Sequence, residues 1–250
     1  MTGKTHRAGG MLCSIVGFAI LKENGLLLPD INEGIQWLVM YPFSMWGSVA
    51  SDLDHDWSSC PSKDYPSWCV NKLLHISKPV QKLLDNNMRE SEKKKSIAYK
   101  IISFFNAKHR SWQTHSDLTL FIMLFLWSKL VNNQLPLGVL DNSILTLVLM
   151  GLVLGVVAHF ILDILTPDGI WCTGLVILNK LLNLLPLSIK IPQKIHLVPR
   201  KTFFITGGKW EQGVQKFLRI ATIVALIWLA VTLLLPDIQS LLPFKIEFDF

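Results

Sequence analysis

Long apolar runs, not strand-like alternation, dominate the chain. They cover residues 8–28, 35–51, 117–135, 143–166 and 219–236, with a shorter sixth at 174–189. A helix crossing a bilayer needs about 20 apolar residues to span a core of about 30 Å. "ILTLVLMGLVLGVVAHFILDIL" and "IATIVALIWLAVTLLLP" meet that best. "LTLFIMLFLWSKLV" is shorter, and the first two runs are marginal singly, so tilted or partly interfacial helices are expected there. The sixth run is interrupted by Asn179, Lys180 and Asn183, which predicts an interfacial or re-entrant helix. The expected fold is all-α, a polytopic membrane helical bundle of about five spans. The first run follows Lys4 and Arg7 as a signal peptide would, but a small-residue cleavage site is missing, so it reads as a retained helix.

Composition agrees. Half of the 250 residues are hydrophobic and 17% are charged, and the mean hydropathy of +0.39 is unusual for a soluble globule. Cys13, Cys60, Cys69 and Cys172 are scattered without a CxxC pair, which indicates neither a disulfide framework nor a zinc ribbon. Cys60 and Cys69 are the pair that an oxidising compartment would allow. Residues 52–110 form a polar insertion in which helical apolar spacing is broken by a basic cluster. This predicts a solvated amphipathic hairpin, compatible with a patch for anionic lipid or polyphosphate. The expected organisation is a membrane-embedded domain over 1–218, with 52–110 as a cytoplasmic insertion and 167–218 cytoplasmic or interfacial. A final transmembrane helix and tail follow over 219–250.

If the five runs alternate, residues before 8, 52–116 and 165–219 share one face and hold 2, 11 and 8 of the 24 Lys and Arg residues. The positive-inside rule places that face in the cytoplasm, with the N-terminus inside and the C-terminus outside.

The histidines and carboxylates gather at this same face. His6 precedes the first run, Asp52, Asp54 and His55 follow the second, His109 and His115 precede the third, and His159 and Asp163 end the fourth. His159 and Asp163 are spaced i, i+4 and project from one side of a helix, a geometry that chelates an ion or makes a His–Asp hydrogen bond between helices. "TPDG" after them stops the helix, through Pro167 and Gly169. His109 and His115 converge if His109 lies in a loop and Thr114 or Ser116 caps a helix starting near His115. Arg110 is either a positive-inside anchor or a bidentate phosphate clamp.

Four motifs in this order, "GKTHRAGG", "SDLDHD", "HRSWQTHS" and "HFILDILTPDG", resemble the YdjM-type family of inner-membrane metal-dependent hydrolases. That family is distantly similar to the zinc-dependent phospholipase C and single-strand nuclease superfamily, helical proteins that bind a cluster of zinc ions. The resemblance covers roughly residues 3–190. It implies metal roles for His6, Asp52 or Asp54, His55, His109, His115, His159 and Asp163. The chain departs from the family pattern at Ser111, where Gly follows "HR", and at Asp168 and "IWCTG", where an aliphatic stretch follows "TP".

Imidazoles with carboxylates suit zinc, with manganese or magnesium favoured as carboxylates accumulate. So many candidate ligands exceed what one ion takes, so two or three ions are expected. One of Asp52 and Asp54 would bridge them and the other act as general base, Asp54 being the preferred catalytic candidate. Arg110 or the basic hairpin would neutralise phosphate charge. The expected function is a membrane-bound metal-dependent hydrolase, a phospholipase C-like phosphodiesterase acting on a phospholipid or lipid-linked phosphate at the cytoplasmic interface of the inner membrane. Nucleic acid is the weaker partner: Trp57, Tyr65, Trp68 and Trp112 flank the site, but indoles also anchor at interfaces. The alternatives are an inert metal-binding scaffold or regulator and, third, a metal-ion transporter.

Overall fold

The structure, a computed structural model, describes residues 2–54, 63–75, 77–104, 115–131, 142–166, 169–182, 191–197 and 208–241. Its helices are α1 (Gly3–Glu23), α2 (Glu33–Ala50), α3 (Tyr65–Leu74), α4 (Lys78–Asn87), α5 (Glu90–Lys95), α6 (Ile97–Phe104), α7 (Asp117–Val131), α8 (Asn142–Ile164), α9 (Thr173–Leu182) and α10 (Lys209–Leu241). A 3-10 turn at Ser51–Asp54 continues α2. Strands β1 (Ile170–Trp171) and β2 (Lys194–Ile195) pair antiparallel. The chain is thus overwhelmingly helical, as expected.

Residues 1–48, 123–162 and 203–250 make one compact unit, and residues 49–122 and 163–202 a second. Helices α2, α7 and α8 each run unbroken past a unit boundary.

In the first unit, Ile15, Phe18, Met40, Leu147, Met150 and Leu229 form the apolar core, and α1 packs along α10. Small residues bring the helix backbones together. A Cβ on Gly155 would lie 2.2 Å from the Ser44 carbonyl oxygen, and one on Gly151 would lie 2.4 Å from that of Met40. This Gly-xxx-Gly stripe on α8 therefore meets α2 backbone to backbone, the contact that membrane helices use where no hydrophobic force drives them together. Gly10 of α1 is likewise pressed on Ser44, whose hydroxyl donates to the Gly10 carbonyl at 2.9 Å. On α10, Phe217, Ile220, Val224, Ile227 and Val231 repeat at helical spacing and all stand exposed, a stripe suited to lipid.

Two helical stretches are long and apolar enough to cross a bilayer, Ser143–Ile164 and Lys209–Leu233. The five expected spans thus reduce to two by this criterion among the described residues. The described part of α7 has 15 residues, about 22 Å at 1.5 Å per residue, which is short of the hydrocarbon core. Helices α1 and α2 have the length, but they bury Thr5, His6, Ser14, Gln36, Ser44 and Ser48.

The second unit holds the polar insertion as the short helices α3–α6, with α4 packed on α6 and α3 on the 3-10 turn. The sixth apolar run appears as the ten-residue α9. Gly169 sits at φ +59° where a Cβ would meet the Ile195 carbonyl at 2.1 Å, so only glycine lets the chain leave α8 and pair β1 with β2.

Candidate metal centre

Each side chain here is placed by a local feature. His6 lies in the first turns of α1, where it is fully buried. The preceding turn is tied down by Glu211 in the first turn of α10. Its buried carboxylate accepts from the Thr5 hydroxyl at 2.7 Å and from the Thr2 backbone N–H. His6 then stacks on His159, ring centroids 4.1 Å apart and planes 20° from parallel. The Nδ1–H of His159 donates to the Ser48 carbonyl at 2.8 Å, which puts the lone pair, the metal-ligating electron pair of an imidazole, on Nε2.

In the second unit, Asp52 lies in the 3-10 turn, which is held by a hydrogen bond from the Asn71 amide to the Leu53 carbonyl at 2.6 Å. His115 precedes α7, its backbone carbonyl accepting from the Trp171 N–H of β1 at 2.9 Å. Its Nε2 is 3.4 Å from Asp52 Oδ1 and 3.7 Å from Asp163 Oδ2. Asp163 ends α8, where its carbonyl accepts from both the hydroxyl (2.7 Å) and the N–H (2.9 Å) of Thr166.

The separations are informative. A charge-assisted hydrogen bond between nitrogen and carboxylate is about 2.7–2.9 Å, whereas two ligands held about 2.0–2.1 Å from one tetrahedral ion stand about 3.4 Å apart. In the first unit the rings of His6 and His159 stack, and in the second His115 stands at that ligand–ligand spacing from Asp52 and Asp163. Those five residues are at most 6% exposed. Burying two carboxylates is costly unless positive charge accompanies them, and a divalent cation supplies it in full. The donor set therefore fits a metal.

Five of the expected ligands are thus placed and buried, His6 and His159 in the first unit and Asp52, His115 and Asp163 in the second. Of Asp54 only the backbone is described, and His55, His109 and Arg110 lie outside the described residues. The free thiols of Cys13, Cys69 and Cys172 take no part, and Cys60 also lies outside the described residues. Sequence reasoning missed Glu211, Asn71 and the Ser48 carbonyl. It also passed over "GLVLG", the small-xxx-small signal for the α2–α8 approach.

Comparison with known proteins adds a family. The model of the YdjM inner membrane protein family matches residues 1–238. The chain belongs to the YdjM inner membrane protein family. The match extends past the four motifs to include the basic insertion and most of α10, and with the apolar α8 and α10 it makes this a membrane protein. No match was found among curated proteins or among solved structures.

Proposed function

We propose that this YdjM-family protein is a membrane-bound, metal-dependent hydrolase that acts on a phosphoester or phosphodiester of a phospholipid or lipid-linked phosphate at the cytoplasmic face. The observation that supports it is the buried imidazole of His115 at ligand–ligand spacing from the buried carboxylates of Asp52 and Asp163, with the first unit separately burying the stacked His6 and His159. A set rich in imidazole favours zinc over magnesium, with manganese between them. A bound ion supplies Lewis-acid activation of water and of the phosphoester. In this reading the protein's own groups orient and neutralise. Ser48 fixes the tautomer of His159, Asp52 and Asp163 offset the metal charge, and Asp54 serves as general base with Arg110 on the phosphate. The excess of basic residues on the loops assigned to the cytoplasm suits a phosphorylated head group.

The burial of all five donors favours a second reading, an inert scaffold in which the metal ties helices together. Transport is disfavoured, because the buried serines on α1 and α2 spend their hydroxyls on helix carbonyls: Ser14 on Met11, Ser44 on Gly10, Ser48 on Met45.

A panel of phospholipid, lipid-linked phosphate and nucleotide phosphoesters, offered to the purified protein with and without chelator, separates the readings. The hydrolase turns over at least one lipid-phosphate substrate, and loses that activity on chelation and in Asp163→Asn and Asp54→Ala. A protein that retains metal but hydrolyses nothing is the scaffold.

A further inference from the structure

The polar insertion carries a surface that the metal centre does not use. Helices α4 and α6 lie antiparallel: the Ser77 hydroxyl donates to the Ile102 carbonyl at 2.6 Å, and the Tyr99 hydroxyl to Asp85 at 2.7 Å. These bonds fix which rows face the seam, and Gln81, Leu84 and Met88 are the partly buried members on or next to α4. In an antiparallel pair, rows rotated equally from the seam in the sense of each helix emerge on one side. Val80 and Leu83 of α4 and Ile101 of α6 do so, with Ile97 one turn earlier on the Ile101 row. All four are exposed, Leu83 by 62% and Ile97 by 73%. Lys78 and Lys82 fall on the other side of α4 and are also exposed. Residues 63–104 hold nine Lys and Arg against four Asp and Glu, a surplus of five positive charges. Lys93 is spent inside the hairpin on Glu90 (2.8 Å) and Asp85 (3.3 Å), leaving the surplus to the other basic residues.

We infer that the α4–α6 hairpin is a membrane-docking element, lying in the head-group layer of an anionic leaflet with Val80, Leu83, Ile97 and Ile101 inserted and its lysines toward the phosphates. An apolar row backed by lysines is the composition of helices that lie in the interface plane. Charge complementarity selects anionic lipid, because lysines near such a surface are drawn to its negative potential. No role for the metal centre enters this inference.

The test uses the full chain, native cysteines replaced by serine, in nanodiscs of phosphatidylcholine alone or with 30% phosphatidylglycerol. A bimane fluorophore is placed at Leu83→Cys, at Ile101→Cys or, as opposite-face control, at Lys82→Cys, and acyl-chain-brominated lipid is the quencher. With phosphatidylglycerol, the probes at 83 and 101 are expected to be quenched at least twofold more than the probe at 82. That difference should vanish without phosphatidylglycerol, and the quenching at 83 and 101 should itself shrink when Lys78→Gln/Lys82→Gln is added to those two probe variants. Equal quenching at all three positions would overturn the proposal, as would quenching indifferent to anionic lipid. So would unquenched probes that inorganic polyphosphate alone protects from an aqueous quencher, which would assign the surface to a soluble polyanion.

Discussion

The imidazole Nδ1 of His159 lies 2.8 Å from the backbone carbonyl oxygen of Ser48. A carbonyl only accepts, so this bond fixes the proton on Nδ1 and the lone pair on Nε2. It exists because Gly155, one turn before His159, lets α8 touch the backbone of α2 at Ser44 and Ser48.

Gly155→Ala places a methyl group 2.2 Å from the Ser44 carbonyl oxygen and 2.6 Å from the Ser48 nitrogen. The helices must part, at a cost of about 1–3 kcal/mol. Metal affinity is expected to fall about 10–100-fold as the orienting bond is lost. Gly174→Ala, where a Cβ meets nothing within 4 Å, should change neither. Thermal unfolding in detergent and metal titration read both quantities.

Glu211 is a positioning residue, acting on His6 through the first turn of α1. Glu211→Ala strips the acceptor from the Thr2 N–H and the Thr5 hydroxyl, an expected loss of about 1–3 kcal/mol with weakened metal binding. Glu211→Gln keeps an acceptor oxygen and should recover most of both. Equal damage from the two variants would show that the carboxylate charge, not the tether, matters.

Asn71 holds the turn that presents Asp52. Asn71→Ala leaves the buried Leu53 carbonyl without the amide it accepts from at 2.6 Å. Stability should drop by about 1–3 kcal/mol, and metal titration should show a loss of affinity larger than that of the exposed control Asn87→Ala, whose amide only bonds back to Leu83 of its own helix.

Much of the centre was legible in the chain. The i, i+4 pair of His159 and Asp163 has its helical geometry built in, and a carboxylate cluster at the edge of an apolar run pointed to Asp52. His6, weak by itself, gained meaning only from its place on the same face. Glu211 was not legible, because an acid at the start of a helix reads as an ordinary partner of the helix dipole. Ser48 acts through its backbone, which no side-chain pattern reveals. The span count suffered for a related reason: the polar residues buried in α1 and α2, which carry or flank the site, dilute the apolar signal that marks a crossing helix.

The most direct measurement of the central claim is the metal content of the purified protein, by elemental analysis after exhaustive dialysis against metal-free buffer. At least one equivalent of a divalent transition metal per chain is expected, zinc first. It should fall at least tenfold in His159→Ala and in Asp163→Asn, with Lys82→Gln on the insertion unchanged. A folded wild-type protein that holds no metal, and whose unfolding temperature is the same with added zinc and with chelator, would contradict the account.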